Sequence, residues 1–224
     1  MTTLADLQNA IDTLMQHPLG PGNYRLIRVV EEKAYEAYVF GLCLQAVRKL
    51  GVTPTLLGIL GHPNPFVFRG APGQIHSTRW NYGYARFMLG TEEFEIHAGV
   101  EFRGASRMTH EVDIAIMRAV DADHCRANPD DPASSSLVGA WECKFYDSAL
   151  QKSLARAFVG LVDDLGTNIR ATGLCSNKTH AQMLLYFQAK KRPYPHLELS
   201  PLNTLVEENF VNMVAGELKK MAMI

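Results

Sequence analysis

The sequence predicts an α/β domain of the mixed α+β kind, a central sheet flanked by helices, and three observations carry that expectation. Three consecutive stretches between residues 94 and 146 are rich in β-branched and aromatic residues and alternate as paired strands do. Helical periodicity brackets them, at 30–50 on one side and up to residue 165 on the other. The 224 residues, 47% hydrophobic and 20% charged, supply apolar surface enough for one buried core, which excludes a disordered or fibrous chain.

Element by element, Leu4, Leu7, Ile11 and Leu14 predict an N-terminal helix over 3–16, within an appendage spanning 1–22, and His17-Pro18-Leu19-Gly20-Pro21-Gly22 breaks it. Tyr35, Tyr38, Val39, Leu42, Ala46 and Leu50 keep the 3.6-residue period of a second helix over 30–50, with Glu31, Glu32 and Glu36 near its start and Gly51 as its stop. Residues 51–90 mix Gly and Pro with Phe66, Phe68, Trp80, Tyr82, Tyr84 and Phe87, which predicts short strands and loops. A three-stranded meander follows at 94–103, 110–118 and 137–146, divided by Gly104-Ala105-Ser106 and by a polar loop over 121–136. Asp147 or Ser148 then caps a helix with the stripe Leu150, Leu154, Phe158, Leu161, Val162 and Leu165, ended by Gly166. A strand at 170–175, a helix capped by Thr179 and stopped by Pro193, a strand at 196–199 and a last helix opened by Ser200-Pro201 complete a single domain over 1–224. Its core spans about 30–200. The last helix, over 200–224, either covers the sheet or mediates a homo-oligomer.

Composition narrows the partners. The formal net charge of -1 gives no bulk attraction to polyanions or anionic membranes. Residues 37–91 nevertheless carry 5 basic side chains and no acidic one, as do residues 165–197, and they flank a middle with 7 basic and 14 acidic side chains. Such a pattern suits a polyanion approaching a carboxylate site. No run of about 18 apolar residues is present and no signal segment opens the sequence, so a soluble cytoplasmic protein without membrane contact is expected. Cys43, Cys125, Cys143 and Cys175 form no CxxC pair and read as reduced core thiols.

The chemistry concentrates on two predicted strands. In Glu111-Val112-Asp113-Ile114-Ala115-Ile116, alternation sets Val112, Ile114 and Ile116 on one face and Glu111 and Asp113 on the other. In Ala140-Trp141-Glu142-Cys143-Lys144-Phe145 it buries Trp141, Cys143 and Phe145 and points Glu142 and Lys144 together to the opposite side. If the strands pair, two carboxylates and an ammonium converge, a set that can hold Mg²⁺ and orient or deprotonate an attacking water. His110 points away by parity and reads as structural; His124, Asp121, Asp123, Asp130 and Asp131 lack metal-site spacing.

These residues make the sequence resemble the PD-(D/E)XK (restriction-endonuclease-like) nuclease superfamily, over roughly residues 30–200. The match consists of Asp113 on one strand, Glu142-Cys143-Lys144 on the next, and the preceding helix with its early Glu. Val112 stands where the family often has Pro. Periodicity leaves Glu31, Glu32 and Glu36 open as the helix carboxylate; the resemblance selects Glu36. It implies an αβββαβ core and a metal-dependent nuclease in which Asp113, Glu142 and the Cys143 carbonyl hold Mg²⁺, with Mn²⁺ able to substitute. Lys144 would serve the water and Glu36 would orient metal-bound waters or assist a second ion. The expected partner is nucleic acid, DNA rather than RNA, gripped by Arg69, Arg79 and Arg86 and by Gln151 at the start of the following helix, with the 51–90 region, a partner subunit or a homo-oligomer supplying specificity. A non-catalytic nucleic-acid- or protein-binding module and a small-molecule phosphodiesterase are the competing readings.

Overall fold

Gly90, held at φ +62°, reverses the chain between the strands β4 (Gly83–Leu89) and β5 (Glu92–Arg103), and a turn closed by Gly104 and Met108 leads from β5 into β6 (Thr109–Arg118). Around this antiparallel centre the computed structural model, which describes residues 1–19, 23–148, 150–166, 169–190 and 194–222, places the other elements in chain order. They are α1 (Leu4–Leu19), β1 (Tyr24–Leu26), α2 (Glu31–Lys49), β2 (Thr55–Gly58), β3 (Phe66–Phe68), α3 (Ala119–Ala127), β7 (Leu137–Lys144), α4 (Lys152–Leu165), β8 (Ala171–Ser176), α5 (Ala181–Lys190), β9 (Tyr194–Leu197) and α6 (Thr204–Ala222). A mixed sheet of seven strands runs β2-β4-β5-β6-β7-β8-β9. Its first five strands pair antiparallel; β8 and β9 are parallel to β7, as the helical connections α4 and α5 require. β1 and β3 form a separate parallel pair.

α2 is buried on nearly all sides, from Ala34 to Val47 with Gln45 as the exposed exception, and is therefore a core helix rather than a surface one. It lies against Ile96, Ile114, Ile116, Trp141 and Cys143 of the sheet, with Leu7 and Ile11 of α1 and Phe210, Val214 and Leu218 of α6 in the same cluster. The last helix covers the sheet, its Phe210 ring 5.9 Å from Trp141. On the other face, Ala122 and Cys125 of α3 and Leu165 of α4 cover Val100, Phe102 and Ala115, while Phe158 and Val162 meet Leu174 and α5.

Several boundaries differ from expectation. α1 continues through His17-Pro18 to Leu19; the Gly20-Pro21-Gly22 part of the expected break and the Pro193 stop lie outside the described residues. The polar stretch 121–136 contains α3, because Ala119, Ala122 and Cys125 bury one side of a short helix and Arg126 is drawn back onto β5. α4 starts at Lys152 after an extended Gln151, with no side-chain cap, rather than at Asp147 or Ser148. α5 begins at Ala181, where His180 Nδ1 accepts the Gln182 amide, and β9 lies two residues earlier than expected. α6 begins at Thr204, after a turn in which Asn203 N–H donates to the Ser200 carbonyl.

Parity also breaks. Ile114 and Ile116 pack toward α2, but Val112 joins the opposite cluster, and in β5 Ala98 and Val100 divide the same way. Between them Gly99 holds φ +63°, a left-handed residue inside a strand, so β5 and β6 turn over together. Gly99→Ala meets no close atom, its Cβ standing 3.5 Å from Arg69 Cβ, and therefore isolates the backbone strain. Urea unfolding of that variant is expected to show a loss of about 1–2 kcal/mol; an unchanged midpoint would remove the left-handed residue as the cause of the turnover.

Candidate functional site

The pairing of β6 with β7 runs from Met117 opposite Leu137 to Ile114 opposite Trp141, where the recorded register ends. The Cys143 amide beyond it donates to the Asp113 carboxylate, Oδ2 at 2.7 Å. Asp113 is only 4% exposed. Period two then places Glu142 and Lys144 beyond the parting point, Lys144 Nζ 2.5 Å from Glu142 Oε1 and 3.6 Å from Asp113 Oδ2. The N-terminal part of α2 supplies Glu36, 7% exposed, whose two carboxylate oxygens accept from Lys33 Nζ at 2.7 and 2.9 Å. Glu31 and Glu32 stay exposed, so of the three helix carboxylates it is Glu36 that reaches the group.

Two members were missed in the sequence. Glu111, two residues before Asp113, has Oε1 buried without a hydrogen bond, and Lys33 Nζ at 3.7 Å is too far to supply one. Lys33 sits one helical turn before Glu36. The signal for both was spacing, i,i+2 on a strand and i,i+3 on a helix, once Asp113 and Glu36 were chosen.

The electrostatics follow from the count. Among the described residues, Glu36, Glu111, Asp113 and Glu142 face two ammoniums, Lys33 and Lys144, an excess of two formal negative charges. Burial, and then the charge of Asp113, push Glu36 up to about 8 and Glu142 up to about 7; Glu111 is raised for the same reasons. Burial pulls the Lys144 ammonium down, but Asp113 and Glu142 together outweigh it and raise the group above its ordinary value. Among the described residues no three His, Cys, Asp or Glu side chains already stand together as a metal-holding group. Mg²⁺ is commonly held by one or two carboxylates with water completing its shell, so the oxygen donors of Asp113 and Glu142, the surplus negative charge and the orphaned Glu111 oxygen fit such an ion.

Beside these groups lies a cavity of about 250 Å³ lined by His110, Glu111, Glu142 and Lys144 and walled by α4 through Leu154, Ala157, Phe158 and Leu161. His110 thus lines the cavity, contrary to the parity reading, because the strand turns over between Val112 and Ile114. A larger hollow, about 460 Å³, lies at the other end of the sheet and has Glu92 as its sole carboxylate among the described residues.

The arginines are scattered rather than gathered. Arg69 is 7% exposed, lies 4.0 Å over the Tyr82 ring and donates to the Gln74 carbonyl, and burial lowers it to about 10. Arg86 pairs with Glu95 and Asp123. Arg79 is exposed, and so is Gln151. Glu95, fully buried, is pushed up by burial but held at about 2 by bonds from His97 and Arg126, a closed ion cluster that nothing in the strand pattern announced. All four cysteines are buried and free, and no described helix is long and apolar enough to cross a membrane.

Comparison with protein-family models, with curated proteins and with solved structures gives no match.

The pKa directions set a pH dependence. Folded Glu36 and Glu142 keep protons up to about 8 and about 7, whereas the unfolded carboxyls release theirs near 4.5; across that window the folded chain binds more protons, so stability falls as pH rises. Thermal melts are expected to show Tm falling from about pH 5 to about pH 8, with Glu36→Gln flattening the slope and raising Tm at the upper end by several degrees. A flat wild-type profile would contradict the buried charge excess.

Proposed function

We propose that the protein is a metal-dependent nuclease of the PD-(D/E)XK type, hydrolysing phosphodiester bonds in DNA. One observation carries the reading: Asp113, Glu142 and Lys144 meet where β6 and β7 part, with Glu36 brought to them from α2. With β2, β3 and β4 inserted after α2 and α3 inserted between β6 and β7, the remaining order α2, β5, β6, β7, α4, β8, with β8 parallel to β7, is compatible with the αβββαβ core that the resemblance implies. In a cell such an enzyme would work in the reducing cytoplasm, where its free buried cysteines remain thiols. Restriction, repair or defence is the setting in which the family recurs.

In this reading Asp113, Glu142 and the Cys143 carbonyl would hold Mg²⁺, which when bound would supply Lewis-acid polarisation and lower the pKa of water at the site. Glu142 and Lys144 flank the position of the attacking water; the raised Lys144 remains an ammonium, so it orients the water and offsets charge developing on the phosphate rather than removing a proton. Glu36, protonated below about 8, gives up its proton as positive charge arrives and then accepts from water. Arg79 and Gln151 are exposed contacts for the substrate backbone.

A second reading has its own observation: Asp113, Glu36 and Glu142 each have a hydrogen-bond or ion-pair partner within the protein, as a non-catalytic binding module would arrange them. Supercoiled plasmid, linear duplex, single-stranded DNA, RNA and a dinucleotide, each with Mg²⁺, Mn²⁺ or EDTA, separate the possibilities. Metal-dependent cutting of DNA, lost by about 10²-fold or more in Lys144→Ala, is the expected result. Binding that persists in EDTA without cutting favours the module, and turnover of the dinucleotide alone favours a small-molecule phosphodiesterase.

A further inference from the structure

The cavity has a polar wall that the carboxylates do not account for. His110 lines it, and His110 Nε2 lies 2.5 Å from Asp164 Oδ2 in the last turn of α4. Asp164 is fixed in turn by the β5–β6 connection. The Ser106 amide donates to its Oδ1 at 2.8 Å, the Ser106 hydroxyl to its Oδ2 at 2.7 Å, and the Ala105 amide to its backbone carbonyl at 2.8 Å. The turn can approach this closely because residue 104 is glycine: a Cβ there would stand 2.2 Å from Asp164 Oδ2 and 3.0 Å from His110 Cδ2. Strand, turn and helix therefore combine to hold one imidazole at the rim of one cavity.

A carboxylate on Nε2 sets the orientation of an imidazole and leaves Nδ1 as the nitrogen free for chemistry. The other ionisable groups on the cavity are Glu111 beside it on β6 and Glu142 and Lys144 on β7. The two strands thus present different tools: β7 carries the groups for the attacking water, and β6 carries a proton carrier. Hydrolysis of a phosphodiester needs both, because the departing alkoxide is a poor leaving group until it receives a proton.

We propose that His110 is the acid that protonates the leaving oxygen, and that Asp164 is its positioning residue, an inference that rests on the nuclease reading. Water forms the new bond to phosphorus and releases a proton to solvent. The bond from phosphorus to the departing oxygen breaks, its electron pair stays on that oxygen, and the Nδ1 proton of His110 moves there. Solvent returns a proton to the imidazole.

The test compares ordinary DNA with oligonucleotides carrying a bridging sulfur in place of the leaving oxygen, in both 3′ and 5′ forms, because a thiolate departs without a proton. His110→Ala is expected to cut the ordinary substrate about 10²–10⁴-fold more slowly and one of the sulfur-bridged substrates within about tenfold of wild type. Asp164→Asn should show a smaller loss with the same rescue, and Lys144→Ala should be impaired on both. His110→Gln, which keeps a polar side chain, serves if His110→Ala melts early. Equal losses on oxygen and sulfur in a folded variant would overturn the acid role while leaving the nuclease standing. A wild-type protein that cuts neither substrate would overturn both.

Discussion

The site depends on one hydrogen bond, from the Cys143 amide to the Asp113 carboxylate. A buried amide must find an acceptor, and where two strands separate it ordinarily loses one. Here a side chain takes over from the backbone, so β6 and β7 can part after Ile114 and Trp141 without leaving a buried donor unpaired. The wedge that opens holds Glu111, Glu142 and Lys144 in a half-buried space with α4 as its wall. Asp113 is thereby committed twice, to holding the strands at one oxygen and to the charge of the site.

Two buried acidic centres in the same sheet are handled in opposite ways. Glu95 is surrounded by Arg86, Arg126 and His97, with Asp123 joining at the surface, and its carboxyl is held at about 2. That cluster is closed, and it ties α3 to β4 and β5. Glu36 and Glu142 have one lysine each, and burial together with the field of Asp113 outweighs it, so they rise to about 8 and about 7. A centre left short of positive charge in this way is receptive to a cation, whereas the first has no such need.

Much of this was legible because the strongest periodicities lie where the chemistry is. Trp141, Cys143 and Phe145 alternate with Glu142 and Lys144, and the structure buries the first set and gathers the second. The dense apolar run of α2 gave the helix, but not which glutamate turns inward; that follows from packing on β6, which periodicity does not contain. His110 and Val112 were misplaced because parity assumes a regular pleat, and the left-handed Gly99 on the neighbouring strand ends it. α3 was read as a loop because its holding contacts, Arg126 to Glu95 above all, come from 31 residues away. In the segment 37–91, Glu95 and Asp123 arrive from other parts of the chain to meet Arg86, and Tyr82 lies against Arg69, pairings that the sequence order does not contain.

The clamp on α2 has a consequence for the order in which the protein is made. Tyr35 donates to the carbonyl of Leu199, 164 residues further along, and Tyr38 to the carboxylate of Glu207. The helix that carries Glu36 is thus made well before Leu199 and Glu207, the residues that close over it. A nascent chain carries every acidic group of the centre long before it carries the helix that seats one of them. Closure of the centre therefore waits on a residue made 164 positions after Tyr35.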